Sequence, residues 1–182
     1  MKKLSSLIIA LFVFGIVNSY GQAITDNINA NANVVQSLTL TGVDDLSFGD
    51  VIAGNNGTIE IDGTDGSAIV SNASVGQLGT FTFDGTLGAQ YAISFSIPTE
   101  LTGATSTLPF VMDGVNYGRV EGAAVGSGNF NPTAGVSIEL GDDGAGAGVA
   151  NISLGGEVQP TTGQATETYS GTITIEVTPT SI

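Results

Sequence analysis

The side chains that most often perform catalysis are nearly absent from this sequence. It contains no His and no Cys, and its lysines are confined to Lys2 and Lys3. Nucleophilic and acid–base catalysis usually draws on His, Cys, Lys or a Ser activated by one of them. A Ser-His-Asp triad and a zinc site with His or Cys ligands are therefore excluded. Paired carboxylates, as in glycoside hydrolysis, remain, and we expect a protein that is not an enzyme.

Carboxylate oxygens could still bind calcium, which takes about six to eight oxygen ligands. The weak candidates are Asp62, Asp65, Asp142 and Asp143. Residues 62–66 read D-G-T-D-G, which is similar to a calcium loop but lacks the D-x-D-x-D-G spacing. Asp-Gly dipeptides also favour tight turns without any metal. The sequence therefore predicts no cofactor, with calcium as the open alternative.

Arg119 is the only basic residue after Lys3. A pair with Glu121 or with a nearby Asp is the simplest interpretation. A ligand contact, by gripping a carboxylate or stacking on a sugar, is the alternative. The Gly-rich stretch that follows, residues 122–128, has neither a G-x-G-x-x-G nor a Walker pattern, so no nucleotide is implied.

Residues 1–21 have the form of a secretory signal peptide, which is cleaved during export. A short basic segment precedes eleven apolar residues, 7–17, and small residues follow at Ser19 and Gly21. An uncleaved membrane anchor is the other interpretation, but eleven residues fall short of the roughly 20 that span a bilayer. We therefore expect a secreted protein.

Signal cleavage would leave a strongly acidic chain. The mature protein would begin at Gln22, or two residues later if cleavage follows Ala23. Arg119 would then stand against 17 acidic residues, a net charge of −16. Such a surface repels nucleic-acid phosphates, whose binding depends on Lys and Arg, and it repels anionic lipid. We expect neither nucleic acid as a partner nor membrane insertion after cleavage.

Turn clusters separate short runs of alternating apolar and polar residues, which predicts an all-β fold. In the clearest run, Ile173, Ile175 and Val177 alternate with polar residues. Residues 121–131 and 141–148 are predicted loops, the first suited to a short irregular helix or a mobile segment. The pattern predicts an antiparallel β-sandwich formed by one domain, residues 35–182. About nine or ten strands are expected, at 33–41, 46–52, 57–62, 68–71, 79–84, 90–97, 107–112, 134–140, 149–155 and 169–178.

An N-terminal extension, residues 22–34, precedes this domain, and we call it the leader. Ile28, Ala30, Ala32 and Val34 alternate in it with asparagines. One interpretation is an edge strand, or a partly ordered segment, of the same domain. The other is a strand that pairs with the sheet edge of a neighbouring molecule.

Four short motifs occur in order along the chain. They are L-S-F-G-D-V-I-A-G at 46–54, G-A-Q-Y at 88–91, L-G-G at 154–156 and Y-S-G-T-I-T-I-E-V at 169–177. Together they resemble an uncharacterised secreted domain family of Gram-negative bacteria, with the signature L-x-F-G-x-V-x-A-G. The resemblance covers residues 34 to 178.

More distantly, the chain resembles spore coat protein U-like domains and the pilins of chaperone–usher systems. This resemblance implies an immunoglobulin-like sandwich that lacks one strand and is closed by a strand from the next subunit. The implied function is a structural or adhesive surface protein, pilin-like, with itself or an export chaperone as partner. A monomeric module that binds glycan or another surface component is the alternative. The implied location is the periplasm, cell surface or extracellular matrix of a Gram-negative-type bacterium.

Overall fold

Alternating apolar and polar residues form most of the strands in residues 37–181, the part of the chain that the computed structural model describes. The predicted signal peptide and the leader, with Ile28, Ala30, Ala32 and Val34, lie outside these described residues. The strands are β1 (Leu38–Asp44), β2 (Gly57–Ile61), β3 (Ala68–Ser71), β4 (Gly79–Gly85), β5 (Gln90–Ser96), β6 (Glu100–Thr102), β7 (Thr107–Val111), β8 (Gly118–Glu121), β9 (Gly128–Phe130), β10 (Val136–Glu139), β11 (Gly141–Asp142), β12 (Gly148–Leu154), β13 (Gly156–Val158) and β14 (Thr174–Ser181).

The strands pair antiparallel throughout and form three sheets. The six-stranded sheet has the order β1-β4-β12-β8-β9, with β11 also paired to β12. The three-stranded sheet is β10-β5-β14, and the five-stranded sheet is β3-β2-β13-β7-β6. Two single 3-10 turns, Val115–Tyr117 and Pro132–Ala134, are the helical elements of the described residues. No helix in this part of the chain is long and apolar enough to cross a membrane.

Buried side chains from all three sheets form one hydrophobic core, so the sheets pack face to face as a β-sandwich. The prediction of an all-β sandwich is confirmed, while its immunoglobulin-like topology stays a prediction. The largest fully buried side chains in the described residues are those of Tyr91, Phe83, Ile59, Ile61, Met112, Leu140, Ile152, Leu154, Val120, Val158 and Pro132.

The predicted strand at 46–52 is wrong. Only isolated bridges occur there, Ser47 to Gln77 and Val51 to Ala73. Gly49 adopts a φ of 63°, in the left-handed region that interrupts a strand. The residue before it, Phe48, turns into the core and meets Phe110 edge to face, with ring centroids 6.2 Å apart. The motif at 46–54 is therefore an irregular segment anchored by one aromatic ring.

The predicted number of strands is too low, because glycine-rich stretches and one short segment at 100–102 also pair. The fourteen strands of the described residues include five that the pattern did not predict: β6, β8, β9, β11 and β13. β9 lies inside the predicted loop at 121–131, where no helix occurs. Its glycine neighbours serve close packing: a Cβ on Gly118 would lie 2.7 Å from the ring of Phe130.

A strand that crosses between two sheets explains the motif at 154–156. The predicted strand at 149–155 ends at Leu154, and the chain continues at Gly156 as β13 in the five-stranded sheet. Gly155 forms the corner, and its amide donates to the carbonyl oxygen of Tyr117. A Cβ at this position would overlap the carbonyl oxygen of Ile59. Only glycine lets the two backbones approach this closely.

Candidate functional site

Six strands of the described part of the chain lie at the ends of the three sheet orders, and β1 and β14 are two of them. β1 is the last strand of the six-stranded sheet, and β14 is the last strand of the three-stranded sheet. Each therefore has a row of backbone amide and carbonyl groups that no other described strand pairs, the feature that invites another strand.

These two free edges lie on the same side of the sandwich. The opposite edge of the three-stranded sheet, β10, is joined to the connection between β8 and β9 by a bridge from Val125 to Glu139. β8 and β9 lie at the end of the six-stranded sheet remote from β1. The β14 edge therefore lies towards β1, and we call the gap between these two strands the mouth.

The two strands run in opposite directions along the mouth. Leu38 at the start of β1 pairs with Gly85, and Ser181 at the end of β14 pairs with Gln90. Only four residues connect Gly85 to Gln90, so Leu38 and Ser181 lie at one end of the sandwich. Asp44 and the start of β14 lie at the other end.

Apolar side chains that face the core are only half covered at the mouth. Leu40 pairs directly with Phe83, so the two side chains share a face of the sheet. Phe83 is 0% exposed, whereas Leu40 is 37% exposed. On the other strand Ile175 and Val177 are half-buried, although Val177 pairs with the buried Ile93. The core is thus well packed inside and incompletely covered between β1 and β14.

A cleft of about 980 Å³ opens at the end of the mouth where β1 finishes. Its walls are residues 44–51 on one side and 164–173 on the other. The apolar side chains that line it include Phe81, Leu101 and Phe110. Four carboxylates also line it, and these belong to Asp44, Asp45, Asp50 and Glu167.

Glu167 fixes one wall of the cleft to the turn between β6 and β7. Its Oε1 accepts hydrogen bonds from the Ser106 hydroxyl at 2.7 Å and the Ser106 amide at 3.0 Å. Its Oε2 accepts from the amide and hydroxyl of Thr105, at 3.0 and 3.1 Å. The Ser106 hydroxyl, followed by the groups of Thr105, holds the pKa of Glu167 below its ordinary value. The carboxylate is therefore ionised at neutral pH and closes this turn.

Tyr169 extends this network. Its hydroxyl lies 2.7 Å from the Ser106 hydroxyl, accepts from Gln164 Nε2 at 2.6 Å and donates to the Ala165 carbonyl at 2.8 Å. The loop at 161–170 is thus held by side chains, because only one isolated bridge, Thr102 to Ser170, pairs its backbone. Sequence periodicity could not reveal this network, since it joins a turn to a loop about 60 residues away in sequence.

The acidic residues proposed as calcium ligands shape two separate turns. Asp62 and Asp65 lie between β2 and β3, and their Oδ1 atoms accept from the amides of Thr64 and Ser67. Asp142 ends β11 and Asp143 follows it, and the two accept in the same way from the four amides of residues 144–147. The amide and hydroxyl of Ser67 lower the pKa of Asp65. No group of three or more His, Cys, Asp or Glu within the described residues could hold a metal ion.

Arg119 is a structural crosslink between two sheets. Its Nε donates to Glu121 Oε1 at 2.8 Å, which confirms the predicted pair. Its Nη1 donates to the Gly63 carbonyl at 2.9 Å and to Asn129 Oδ1 at 3.1 Å. The side chain of Asn129 in turn donates to the Ile61 carbonyl. The Arg119 side chain is only 13% exposed, and its hydrogen bonds hold the turn after β2 against β8 and β9.

A second polar cluster surrounds Glu157. Its carboxylate accepts from Asn56 and Gln159 at 2.7 and 2.8 Å, and from the Tyr117 hydroxyl at 3.2 Å. Burial, and secondly the charge of Glu157, raise the pKa of Tyr117 to about 12. The phenol therefore stays protonated and acts as a hydrogen-bond donor.

Comparison with known proteins gives one match. A family model described as a domain of unknown function, DUF4402, matches residues 38–178. No curated protein and no solved structure matches the chain. The matched region runs from the first residue of β1 into β14, so it includes both strands of the mouth.

Proposed function

The chain belongs to the DUF4402 family of domains of unknown function, and from that premise we propose that it is an exported structural or adhesive protein of the cell surface. Its residue types support this role. The sequence has no His and no Cys, and signal cleavage would remove both lysines. The polar clusters of Arg119, Glu157 and Glu167 are occupied by structural hydrogen bonds.

The protein assembles, in this proposal, as a pilin-like fibre subunit by N-terminal strand donation. The mouth is the observation that carries the proposal: two free strand edges, β1 and β14, flank core-facing side chains that are half exposed. An added strand would pair its backbone with a free edge and cover those side chains at once. The leader supplies a segment of alternating pattern for this purpose. An export chaperone could cover the same edge before assembly.

Repeated donation would give a fibre rather than a closed dimer. A strand from one copy and a mouth on the next are different surfaces, so the contact is head to tail and repeats without closing. An acidic, cysteine-free subunit fits this mode of assembly, because stability would come from strand pairing and packing rather than from disulfides.

Deletion of residues 22–34 tests the proposal. The exported, signal-cleaved protein and the deletion variant are compared by size-exclusion chromatography and negative-stain microscopy. The proposal expects polymers from the intact protein and soluble single domains from the variant. Fibres that persist after deletion would show that strand donation by the leader is wrong.

A monomeric module that binds glycan or another surface component is the second candidate, and the cleft favours it. Its volume of about 980 Å³ is at the upper end of ordinary small-molecule sites. The lining combines carboxylates with Tyr169 and apolar side chains. A glycan array probed with the mature protein separates the two candidates: micromolar binding by a strictly monomeric species would favour the second.

A further inference from the structure

We infer that the cleft binds a basic segment of a partner protein. The stems of its Lys or Arg side chains lie on the apolar floor of the cleft, and their charged heads reach the carboxylates at the rim. The inference concerns described residues alone and does not depend on strand donation. It goes beyond the proposed function by giving the cleft a partner of stated chemistry.

The half-buried ring of Phe81 shows why the floor of the cleft is open. Phe81 pairs on β12 with Ile152, which is 0% exposed, so both side chains lie on the core-facing side of the sheet. On β1, however, the partner of Phe81 is Gly42, which has no side chain to cover the ring. Leu101 and Ile173 also line the cleft and are half-buried. The floor is therefore apolar surface that the domain itself leaves uncovered, as in many binding sites.

The four carboxylates of the cleft are of two kinds. Those of Glu167 and Asp44 are held by the domain: Glu167 accepts the four hydrogen bonds described above, and Asp44 Oδ2 accepts from the Thr80 hydroxyl at 3.1 Å. Asp45 and Asp50 are exposed, and their carboxylates accept no hydrogen bond from a described residue. These two side chains therefore have oxygen atoms available for a bound cation.

The charge of the domain favours a cation as the occupant. All of the 17 acidic residues except Asp26 lie in the described part of the chain, where Arg119 is the only basic residue. The Arg119 side chain is 13% exposed and pairs with Glu121, so it neutralises nothing at the cleft. A cleft with apolar walls and charges of one sign concentrates oppositely charged ligands and speeds their association.

Lys and Arg side chains match the order of floor and rim. Their methylene stems pack on apolar surface while the charged heads stay at its edge, and a head can also rest on an aromatic face such as that of Phe81. A metal ion would use the rim alone, and no group of three or more His, Cys, Asp or Glu among residues 37–181 could hold one. The volume of about 980 Å³ suits several side chains of one segment better than a single amine.

Calorimetric titration of the exported, signal-cleaved protein tests the inference. The probe is a short blocked peptide of alternating Lys and Leu, and two matched peptides carry Gln or Glu in place of Lys. Only the Lys peptide should bind, and its affinity should fall as salt is added, because exposed charges are screened. Absence of binding by the Lys peptide, or equal binding by the Gln peptide, would overturn the inference.

A matched pair of double variants locates the binding. Asp45→Asn with Asp50→Asn removes the available rim charges, and Asp84→Asn with Glu176→Gln removes as much charge from exposed positions outside the cleft. The first variant should bind the Lys peptide about tenfold more weakly, since each exposed ion pair contributes a few-fold, and its thermal stability should not fall. The second variant should bind as the parent does. Equal losses would mean attraction by net charge alone and overturn the cleft as the site.

Gly42→Leu tests the floor separately. A Cβ at Gly42 would lie 3.7 Å from the ring of Phe81, an ordinary contact, so the new side chain covers the ring without overlap. Affinity for the Lys peptide should fall several-fold. Thr41→Leu, on the opposite face of β1, is the control and should bind as the parent does. Unchanged affinity in Gly42→Leu would overturn the apolar floor as part of the site.

Failure of this inference can be told apart from failure of the proposed function. Polymers of the intact protein, scored by negative-stain microscopy of the same samples, support strand donation whether or not the Lys peptide binds. Binding of the Lys peptide by a protein that forms no polymer would support the inference and remove the fibre. Polymers without peptide binding would do the reverse.

Discussion

The Ser106 hydroxyl donates a hydrogen bond to Glu167 Oε1 over 2.7 Å, although the two residues are 61 positions apart. This contact joins the turn after β6 to the loop that forms a wall of the cleft. Backbone pairing holds that loop at a single bridge, so its position depends on the carboxylate.

Loss of the Glu167 charge should loosen this wall at low pH. Its ordinary pKa of 4.5 is lowered in the folded protein by the Ser106 hydroxyl and then by Thr105. A lowered pKa means that the carboxylate stabilises the fold fully above about pH 4.5 and stops doing so as the pH falls through the folded value. Glu167→Gln should therefore be less stable than the parent in urea at pH 7, with the difference shrinking below pH 4.

Glu100→Gln is the matched control for that measurement. Glu100 is exposed on β6, and its carboxylate has no hydrogen bond among the described residues. Its substitution should leave the urea midpoint unchanged at both pH values. Equal effects of the two substitutions would show that Glu167 contributes only general charge.

Gly155→Ala should be among the most damaging single-methyl additions in the chain. The new Cβ would overlap the Ile59 carbonyl oxygen at the corner between two sheets. Overpacking of this kind costs about 1–3 kcal/mol or more. A value of about 3 kcal/mol is expected, because the nearest atoms are the backbone carbonyl oxygen and carbon of Ile59, which cannot rotate away as a side chain could. Urea unfolding measures it. Gly163→Ala is the control, since nothing lies within 4 Å of its added Cβ, and a loss as large there would refute the explanation.

Tyr91→Phe should stabilise the protein or leave its stability unchanged. The Tyr91 side chain is fully buried, and its hydroxyl has no hydrogen-bond partner. An unsatisfied buried hydroxyl costs about 1–3 kcal/mol, so its removal should raise the free energy of unfolding by about 1 kcal/mol. Tyr117→Phe should lower it by a similar amount, because that hydroxyl donates to Glu157. Equal losses from both substitutions would contradict the assignment.

Arg119→Met should lower the free energy of unfolding by about 1 kcal/mol, since it removes hydrogen bonds whose acceptors are exposed or part-buried and can bond water instead. Arg119→Lys keeps the charge but not the planar fork that reaches Glu121, Gly63 and Asn129 together. The free energy of unfolding of the Arg119→Lys variant should lie nearer to that of the Arg119→Met variant than to that of the parent. Full rescue by lysine, measured by thermal unfolding at two salt concentrations, would show that charge alone matters.

Local pattern was enough to predict the fold class but not the details of pairing. Alternation such as that of Ile173, Ile175 and Val177 indicates which face of a strand is buried. Alternation cannot show that Gly49 interrupts the segment at 46–52, because glycine and the residue types beside Gly49 also occur within strands. The pattern does not predict a separate strand at 156–158. The chain changes sheets at Gly155 because its backbone packs closely against Ile59, a residue about 100 positions earlier in the sequence.

The candidate site was predicted only in part. Periodicity identified the leader as a candidate strand, and Arg119 was expected to pair with Glu121. The sequence could not predict which strand edge would accept the leader. The partial exposure of Leu40 and Ile175 depends on which strands lie at the sheet edges. Sheet order depends on contacts distant in sequence, which no local pattern encodes.

Charge placed on one face of the leader tests the central claim most directly. Two variants of equal length and charge are compared with the parent by sedimentation velocity and negative-stain microscopy. One carries Ala30→Asp and Ala32→Asp on the face that would be buried in the mouth; the other carries Asn29→Asp and Asn31→Asp on the outer face. The account predicts that the first variant stays monomeric and that the second forms fibres as the parent does. Equal assembly of the two variants would contradict it.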